Sequence, residues 1–346
     1  MGERRALFIG IDTYHNHVNL LGAAQDARAL SNELKEDDTD DPQPRWPVTN
    51  DTLLVASGHE EITERDLRLA ANGLLDGAEG DDILFYFAGH GFNTPDDGLV
   101  LASSDDDEGD VRRGLRIRSL LDNINASGAS SATVILDCCH AGLAAGPNIG
   151  KNVVIIAGAE ASARASEMGR RGKFTRLLIE GLKGGAADIQ GRITAVSLYN
   201  YVSGALSRQS DGQVPVLKAR LEDLVVLRQV RAKLGLLQLR RLAQTFSESS
   251  QCLVLTPDFE ASEEQTKRSQ PPLRSRPDPM DEPLTNEQDQ MDYFKILRDA
   301  GLLDVIDPLQ KTAKPDLFWA CMHGGKVSLT PLGQYYWELA ISGHLR

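Results

Sequence analysis

The sequence has few of the features that would place it in a specialised protein class. Its 346 residues include only four cysteines, two of them adjacent, which excludes a disulfide framework and makes a reducing cytoplasm the expected location. No apolar run approaches the roughly 20 residues needed to cross a bilayer. The apolar part of the amino-terminal segment is too short for a secretory signal and predicts a first strand instead.

Basic residues are also in deficit. Lys and Arg number 37 against 50 Asp and Glu, giving a net charge of −13. This balance argues against a nucleic-acid partner and favours attraction to basic segments. A hydrophobic content of 41% and a charged content of 25% are ordinary for a soluble globular protein, and the length favours two domains.

Short apolar runs alternate with segments of helical periodicity over the first two thirds of the chain. The strands are predicted at residues 6–11, 52–56, 82–88, 133–136 and 153–157. The helices are predicted at residues 23–36, 63–75, 117–124, 174–182 and 196–206. This alternation predicts an α/β fold with a mainly parallel central sheet flanked by helices.

The last third has a different composition. Residues 256–283 are rich in Pro, Ser and charged side chains and predict a flexible linker between a first domain, 1–255, and a small module, 284–346. The module is expected to contain a helix, then a hairpin over residues 318–329 and a final helix. This order resembles a winged-helix module with a regulatory or interaction role.

Two predicted strands end in small residues that carry one reactive side chain each. Residues 83–87 lead to His90, and residues 133–136 lead to Cys139. Ligands of open α/β sheets gather at the carboxyl ends of the strands, so the two side chains are expected to meet in one cleft. A thiol beside an imidazole is the arrangement that nucleophilic catalysis by cysteine requires.

The motifs Tyr-Phe-Ala-Gly-His-Gly at 86–91 and Asp-Cys-Cys-His-Ala-Gly at 137–142 resemble those of caspase-like cysteine peptidases, in the metacaspase and bacterial caspase-homologue branch. His90 precedes Cys139 by 49 residues, close to the spacing of about 50 in caspases. The resemblance extends over residues 6–227. It implies a caspase-like sandwich, with Cys139 as nucleophile, His90 as general base and the backbone N–H groups of Gly91 and Cys139 as the oxyanion site.

Each of these assignments has a simpler alternative. A buried cysteine, a packed histidine and a turn glycine are all common. Strand alternation turns Cys138 and Cys139 to opposite faces, so Cys138 is expected to face the core. The run Cys138-Cys139-His140 could also suggest a metal site, but consecutive residues do not easily direct three ligands at one tetrahedral ion. The family resemblance gives His140 no catalytic part, so His140 is interpreted as structural.

The resemblance also implies the specificity. Asp26 and Asp137 match the two acidic positions of the primary pocket in metacaspases, which predicts cleavage of protein or peptide substrates after Arg or Lys. A bidentate Arg would neutralise such a pair. The alternatives are a turn residue for Asp137 and a charge in the first turn of a helix for Asp26. Ala88 stands where many metacaspases have serine.

No cofactor is expected, with one open alternative. The acidic residues Asp105, Asp106 and Asp107, followed by Glu108 and Asp110, could supply oxygen ligands to Ca²⁺, as in calcium-activated metacaspases. An acidic loop that is only solvated is the other interpretation.

A peptidase in the cytoplasm needs restraint, so a zymogen is expected, activated by itself or by an upstream protease or regulatory protein. The candidate processing sites are exposed basic residues: Lys151, Arg170, Arg171, Lys267, Arg268, Arg274 and Arg276. Bacterial relatives would suggest a role in prokaryotic defence. The rival hypothesis is a catalytically silent caspase-like scaffold or regulator that acts through its carboxy-terminal module.

Overall fold

The computed structural model describes residues 2–35, 46–49, 52–107, 113–139, 149–158, 172–207, 215–259, 287–309 and 315–345. The chain divides into two compact units, Met1–Arg231 and Ala232–Arg346. The candidate site residues that the structure describes all belong to the first unit.

The first unit contains eleven strands among its described residues. They are β1 (Arg4–Ile11), β2 (Leu53–Ala56), β3 (Asp82–Ala88), β4 (Gly91–Thr94), β5 (Gly98–Ala102), β6 (Gly114–Arg116), β7 (Ser131–Asp137), β8 (Val153–Ala157), β9 (Arg192–Thr194), β10 (Val216–Arg220) and β11 (Val226–Gln229). Six of them form the central sheet in the order β10-β8-β7-β3-β1-β2. All neighbours in it are parallel except β10, which runs antiparallel to β8. The predicted mainly parallel sheet is confirmed.

The helices of this unit cover both faces of the sheet. They are α1 (Ala23–Lys35), α2 (Glu64–Leu75), α3 (Ile117–Ala126), α4 (Lys173–Glu180), which continues as a π-helical turn at Gly181–Gly185, and α5 (Ala195–Ser207). On β3, the fully buried Leu84 and Phe85 belong to two different hydrophobic clusters. The cluster of Leu84 contains side chains of α1, α4 and α5, and the cluster of Phe85 contains side chains of α2 and α3. Burial on both faces explains why these strands are continuous apolar runs.

Two small antiparallel sheets complete the unit. One has the order β4-β5-β6 and begins at Gly91, directly after His90, and the other pairs β9 with β11. In these regions the apolar pattern of the sequence favours only an extended piece at residues 99–102 and a strand at residues 224–227. The partner strands β4, β6 and β9 are three or four residues long, too short for a periodicity to be visible.

The second unit combines helices with a three-stranded antiparallel sheet. Its elements are α6 (Leu236–Thr245), β12 (Cys252–Val254), a 3₁₀ turn at Pro257–Phe259, α7 (Glu287–Asp299), β13 (Leu303–Ile306), α8 (Leu317–Met322), β14 (Lys326–Leu329) and α9 (Pro331–Ile341). The sheet order is β12-β14-β13. No helix among the described residues is both long and apolar enough to cross a membrane.

The predicted hairpin at residues 318–329 is wrong, because Leu317–Met322 is a helix and β14 pairs with β13 and β12. The winged-helix resemblance is therefore not confirmed. Strand β12 pairs with β14, so residues 252–254, which the sequence assigned to the first domain, belong to the second unit. Most of the predicted linker, residues 260–286, lies outside the described residues, and the linker stays a prediction.

Gly10 allows helix α1 to approach the sheet closely. A Cβ atom at Gly10 would lie 2.3 Å from the Ala23 carbonyl oxygen, an overlap with backbone that no side-chain rotation relieves. We expect Gly10→Ala to lower the free energy of unfolding by about 1–3 kcal/mol, measured by urea titration. Gly73→Ala is the control, since a Cβ atom in that helical position has no neighbour within 4 Å and should stabilise by about 0.5–1 kcal/mol. Equal effects of the two variants would contradict this account of α1.

Candidate active site

The histidine and cysteine motifs follow two adjacent strands whose ends are in register. β3 and β7 pair along their whole length, with Ala88 opposite Asp137. His90 and Cys139 each lie two residues beyond this last pair. A Cβ atom on Gly91 would lie 2.6 Å from the Cys139 carbonyl oxygen, so the backbones after the two strands are in contact. The structure therefore brings the predicted nucleophile, base and oxyanion glycine to one place on the sheet rim.

The imidazole of His90 is oriented by a backbone carbonyl. Nε2 of His90 lies 2.8 Å from the carbonyl oxygen of Val18. A carbonyl oxygen only accepts hydrogen bonds, so this contact places the ring proton on Nε2 and leaves Nδ1 as the basic nitrogen. Sequence analysis did not identify Val18, because a residue that contributes only its backbone carbonyl leaves no side-chain signal.

Tyr14 supports His90 from the same loop. Its hydroxyl oxygen accepts a hydrogen bond of 2.8 Å from the His90 backbone N–H, and the two ring centroids are 4.6 Å apart. Tyr14 is buried, and this burial raises the pKa of its phenol, which therefore stays neutral. The sequence showed a polar loop after β1 but not that β1 lies next to β3, and only this strand order brings the loop to His90.

The two adjacent cysteines have different surroundings. Cys138 packs against the hydrophobic cluster of Phe85, as strand alternation predicts. Burial raises the pKa of the Cys138 thiol well above its ordinary value, so this thiol is not a thiolate at neutral pH. Both cysteines are partly exposed, so exposure does not distinguish them. The raised pKa and the core packing of Cys138 argue against it as the nucleophile, and Cys139 stays the candidate.

The predicted acidic pair also comes together. Asp26 in α1 and Asp137 at the end of β7 both point toward Gly172, where a Cβ atom would lie 2.9 Å and 2.8 Å from their respective Oδ2 atoms. The Gly172 backbone N–H donates to Asp26 at 2.7 Å, and the Thr175 hydroxyl donates to Asp137 at 2.6 Å. Two carboxylates held side by side, one of them only 2% exposed, form a site that a single cation would neutralise.

All three proposed calcium ligands, Asp105, Asp106 and Asp107, lie among the residues that the structure describes. Asp105 accepts a hydrogen bond of 2.9 Å from the Glu64 backbone N–H at the start of α2. Asp106 is fully buried, accepts a hydrogen bond of 2.6 Å from the Arg113 backbone N–H, and lies 2.9 Å from Nε2 of His17. Asp107 is exposed. The described residues contain no group of three or more potential metal ligands, and Glu108 and Asp110 lie outside them, so calcium binding stays a prediction.

Of the candidate processing sites, only Lys151 lies among the residues that the structure describes. Lys151 lies in an exposed turn before β8, where its Nζ atom is 2.6 Å from a carboxylate oxygen of Glu222. His140 and the remaining candidate sites lie outside the described residues: Arg170, Arg171, Lys267, Arg268, Arg274 and Arg276.

The partly buried carboxylate of Asp137 gives the protein a pH-dependent stability. Desolvation raises the pKa of Asp137 in the folded protein, against the lowering effect of its hydrogen bonds with Thr175. The folded state then holds this proton to a higher pH than the unfolded chain, whose pKa is about 3.9. The contribution of Asp137 to stability therefore falls as pH rises from about 4 through the folded pKa.

Asp137→Asn removes this titration and keeps an oxygen that can accept from Thr175. We expect the free energy of unfolding of the variant to increase relative to that of the wild type as pH rises from about 4 to neutral. Urea titration at several pH values measures this difference. Asp122→Asn on α3 provides a control carboxylate. A difference from the wild type that is constant with pH would contradict the assigned desolvation.

The sequence matches a known protein family over more than half of its length. A model of the caspase domain matches residues 3–226. Among solved structures, a Geobacter sulfurreducens protein is 15% identical with a TM-score of 0.44, over 66% of this chain and 97% of its own. Caspase-1 from Spodoptera frugiperda is 14% identical with a TM-score of 0.44, over 67% of this chain and 93% of its own. A search of the curated proteins found no match. Because the match covers more than half of the chain, the chain belongs to the caspase-domain family of peptidases.

Proposed function

We propose that this protein is a cysteine endopeptidase that cleaves protein substrates after Arg or Lys, with Cys139 as nucleophile and His90 as general base and acid. Membership of the caspase-domain family supports a cysteine peptidase activity. The assignment of His90 and Cys139 is supported by the register of β3 and β7. The last residue pair of the two strands is Ala88 and Asp137, and His90 and Cys139 each lie two residues beyond it.

In the proposed reaction, Nδ1 of His90 takes the proton of the Cys139 thiol while Nε2 keeps its hydrogen bond to Val18. The thiolate attacks the scissile carbonyl carbon, and the negative charge moves to the carbonyl oxygen. The backbone N–H groups of Gly91 and Cys139 stabilise this oxyanion. The imidazolium returns the proton to the leaving amine as the C–N bond breaks, and water then hydrolyses the thioester to release the acid and regenerate the thiol.

The proposed specificity rests on the carboxylates of Asp26 and Asp137, which converge on Gly172. Ionised carboxylates are costly to bury, and a cationic substrate side chain offsets that cost. A guanidinium can reach both carboxylates with several N–H donors, and an ammonium can do so as a single charge. An aspartate side chain would meet like charge in the same place, so substrates with Asp before the scissile bond should be poor.

The experiment compares the wild type, Cys139→Ala and Cys138→Ala on fluorogenic peptides that end in Arg, Lys or Asp. We expect the wild type to cleave the Arg and Lys peptides and not the Asp peptide. Cys139→Ala should lose at least about a thousandfold in kcat. Cys138→Ala should keep most of the activity, because the neutral thiol that it removes packs against the core. Unchanged turnover by Cys139→Ala would refute Cys139 as the nucleophile, absence of turnover in the wild type would favour the silent scaffold, and faster cleavage of the Asp peptide would refute the specificity.

The proposed regulation is that the protein is made as a zymogen in the cytoplasm. Cleavage of its chain at Lys151, before β8, or at the other basic candidate sites activates it. We expect purified wild-type protein to yield fragments that end in Arg or Lys, because the protein satisfies its own specificity. Cys139→Ala, purified in parallel, should stay intact in the same mass spectrum. Identical fragments in both preparations would exclude self-processing and leave cleavage by an upstream protease. The candidate role in prokaryotic defence depends on which cellular protein is cut.

A further inference from the structure

A chain of two hydroxyl groups lies behind the acidic pair. The Thr175 hydroxyl donates to Oδ2 of Asp137 at 2.6 Å, and the Tyr86 hydroxyl oxygen lies 2.7 Å from that of Thr175. Thr175 and Tyr86 are both fully buried, whereas Asp137 is partly exposed at the end of β7. The chain therefore runs from the core of the protein to a carboxylate at the rim of the sheet.

The direction of the chain follows from the number of its protons. Each hydroxyl group has one proton to donate, and an ionised carboxylate only accepts. Because the proton of Thr175 is used on the ionised Asp137, the Thr175 oxygen accepts from Tyr86. Burial and the neighbouring carboxylates of Asp137 and Asp26 raise the pKa of the Tyr86 phenol, so Tyr86 keeps the proton that it donates. Both hydroxyl protons thus point toward the charge.

The start of helix α4 connects this chain to the pocket. The N-cap residue Gly172 has no side chain to cap the helix, and Thr175 lies in the first turn. The Gly172 backbone N–H donates to Asp26, and the Thr175 hydroxyl donates to Asp137. The helix start therefore supplies donors to both carboxylates, and Asp137 has the Tyr86 hydroxyl behind its donor.

These donors favour the binding of a cation. Hydrogen bonds to a carboxylate favour its ionised form, and they oppose the effect of desolvation on Asp137. A carboxylate that is already fixed also loses less conformational freedom when it binds a ligand.

We propose that Tyr86 and Thr175 are positioning residues for the preference for Arg and Lys, and that they hold the Asp137 carboxylate in place for the cationic side chain of the substrate. This inference rests on the proposed function. Because both residues are fully buried, they act through Asp137 and not by contact with the substrate. Loss of either hydroxyl should weaken the binding of a cationic side chain and leave the reaction of Cys139 and His90 unchanged.

The test compares Thr175→Val and Tyr86→Phe, which each remove one hydroxyl, with Thr175→Ser, which keeps it. On a fluorogenic Arg peptide, KM should rise about tenfold in full-length Thr175→Val and about threefold in Tyr86→Phe, with kcat within about twofold of the wild type. Thr175→Ser should keep the wild-type KM to within about twofold. In the Cys139→Ala background, the Kd of the fluorescent cation p-aminobenzamidine should change by the same factors.

The pH dependence of p-aminobenzamidine binding separates positioning from a general loss of structure. As pH falls, Asp137 takes up a proton and the cation is released. Without the Thr175 hydroxyl the pKa of Asp137 should rise further, because a hydrogen bond that favours the carboxylate is lost. Release should then occur at a higher pH in Thr175→Val than in the parent Cys139→Ala protein. The other titratable groups around Asp137 are Asp26, Tyr86 and Cys138.

Two variants of the same unit are matched controls. Thr133→Val replaces another fully buried threonine, whose hydroxyl has no hydrogen-bond partner among the described residues. Tyr199→Phe removes a tyrosine hydroxyl that donates to the Pro215 carbonyl oxygen at 3.3 Å. Both should keep the wild-type KM and Kd.

Wild-type KM and Kd in Thr175→Val and Tyr86→Phe, or a loss of kcat in place of the rise in KM, would overturn this inference and leave the proposed function intact. If thermal unfolding shows that Thr175→Val does not fold, Tyr86→Phe alone decides between these outcomes. Failure of the wild type to cleave the Arg peptide and to bind p-aminobenzamidine would overturn the proposed specificity, and this inference with it.

Discussion

The account depends on the parallel pairing of β3 with β7. In this pair every residue from Asp82 to Ala88 has a partner from Ser131 to Asp137, so both strands end at the same edge of the sheet and in register. A slip of one residue would turn the side chains of one strand to the opposite face of the sheet. Burial on both faces opposes such a slip, because it would exchange Leu84 and Phe85 between two separately packed clusters. The packing of the core thus fixes the relative position of His90 and Cys139.

The neighbouring strands supply the rest of the site by the same geometry. β1 lies beside β3, and the loop that follows β1 brings Tyr14 and Val18 to His90. Helix α1, which comes after that loop, presents Asp26 to Asp137, and Gly10 permits its close approach to the sheet. Asp137 is retained although burial raises its pKa and its charge is costly to the folded state. A partly buried charge that weakens the fold is typical of a group with a role in binding.

Much of this fold and site could be predicted from the sequence. Strands buried on both faces, such as β3 and β8, are continuous apolar runs with clear ends, and their predicted bounds agree with the structure. Helix α2 was predicted from residue 63, and in the structure Thr63 and Asp66 form a capping box at its start. The convergence of Asp26 with Asp137 followed from a family resemblance. Periodicity alone does not relate two residues that are more than a hundred positions apart.

The features that the sequence predicted wrongly or missed depend on local helix capping or on tertiary neighbours. The aromatic pair Phe318-Trp319 favours a strand, yet the side chain of Asp316 accepts a hydrogen bond from the Phe318 backbone N–H at 2.8 Å and begins a helix there. Tyr14 and Val18 were missed because their roles appear only when β1 and β3 are known to be neighbours. A contact between a ring nitrogen and a backbone carbonyl has no counterpart in residue type, so no sequence pattern predicts the Val18 interaction.

The most direct measurement is covalent capture with a peptide that carries arginine followed by a thiol-reactive electrophile, such as an acyloxymethyl ketone. Peptide mapping of the labelled protein should find one adduct, on Cys139, and labelling should slow strongly in His90→Ala and when the arginine is replaced by aspartate. An adduct on Cys138, or labelling that neither His90 nor the arginine accelerates, would contradict the account of a thiol and an imidazole acting together beside an acidic pocket.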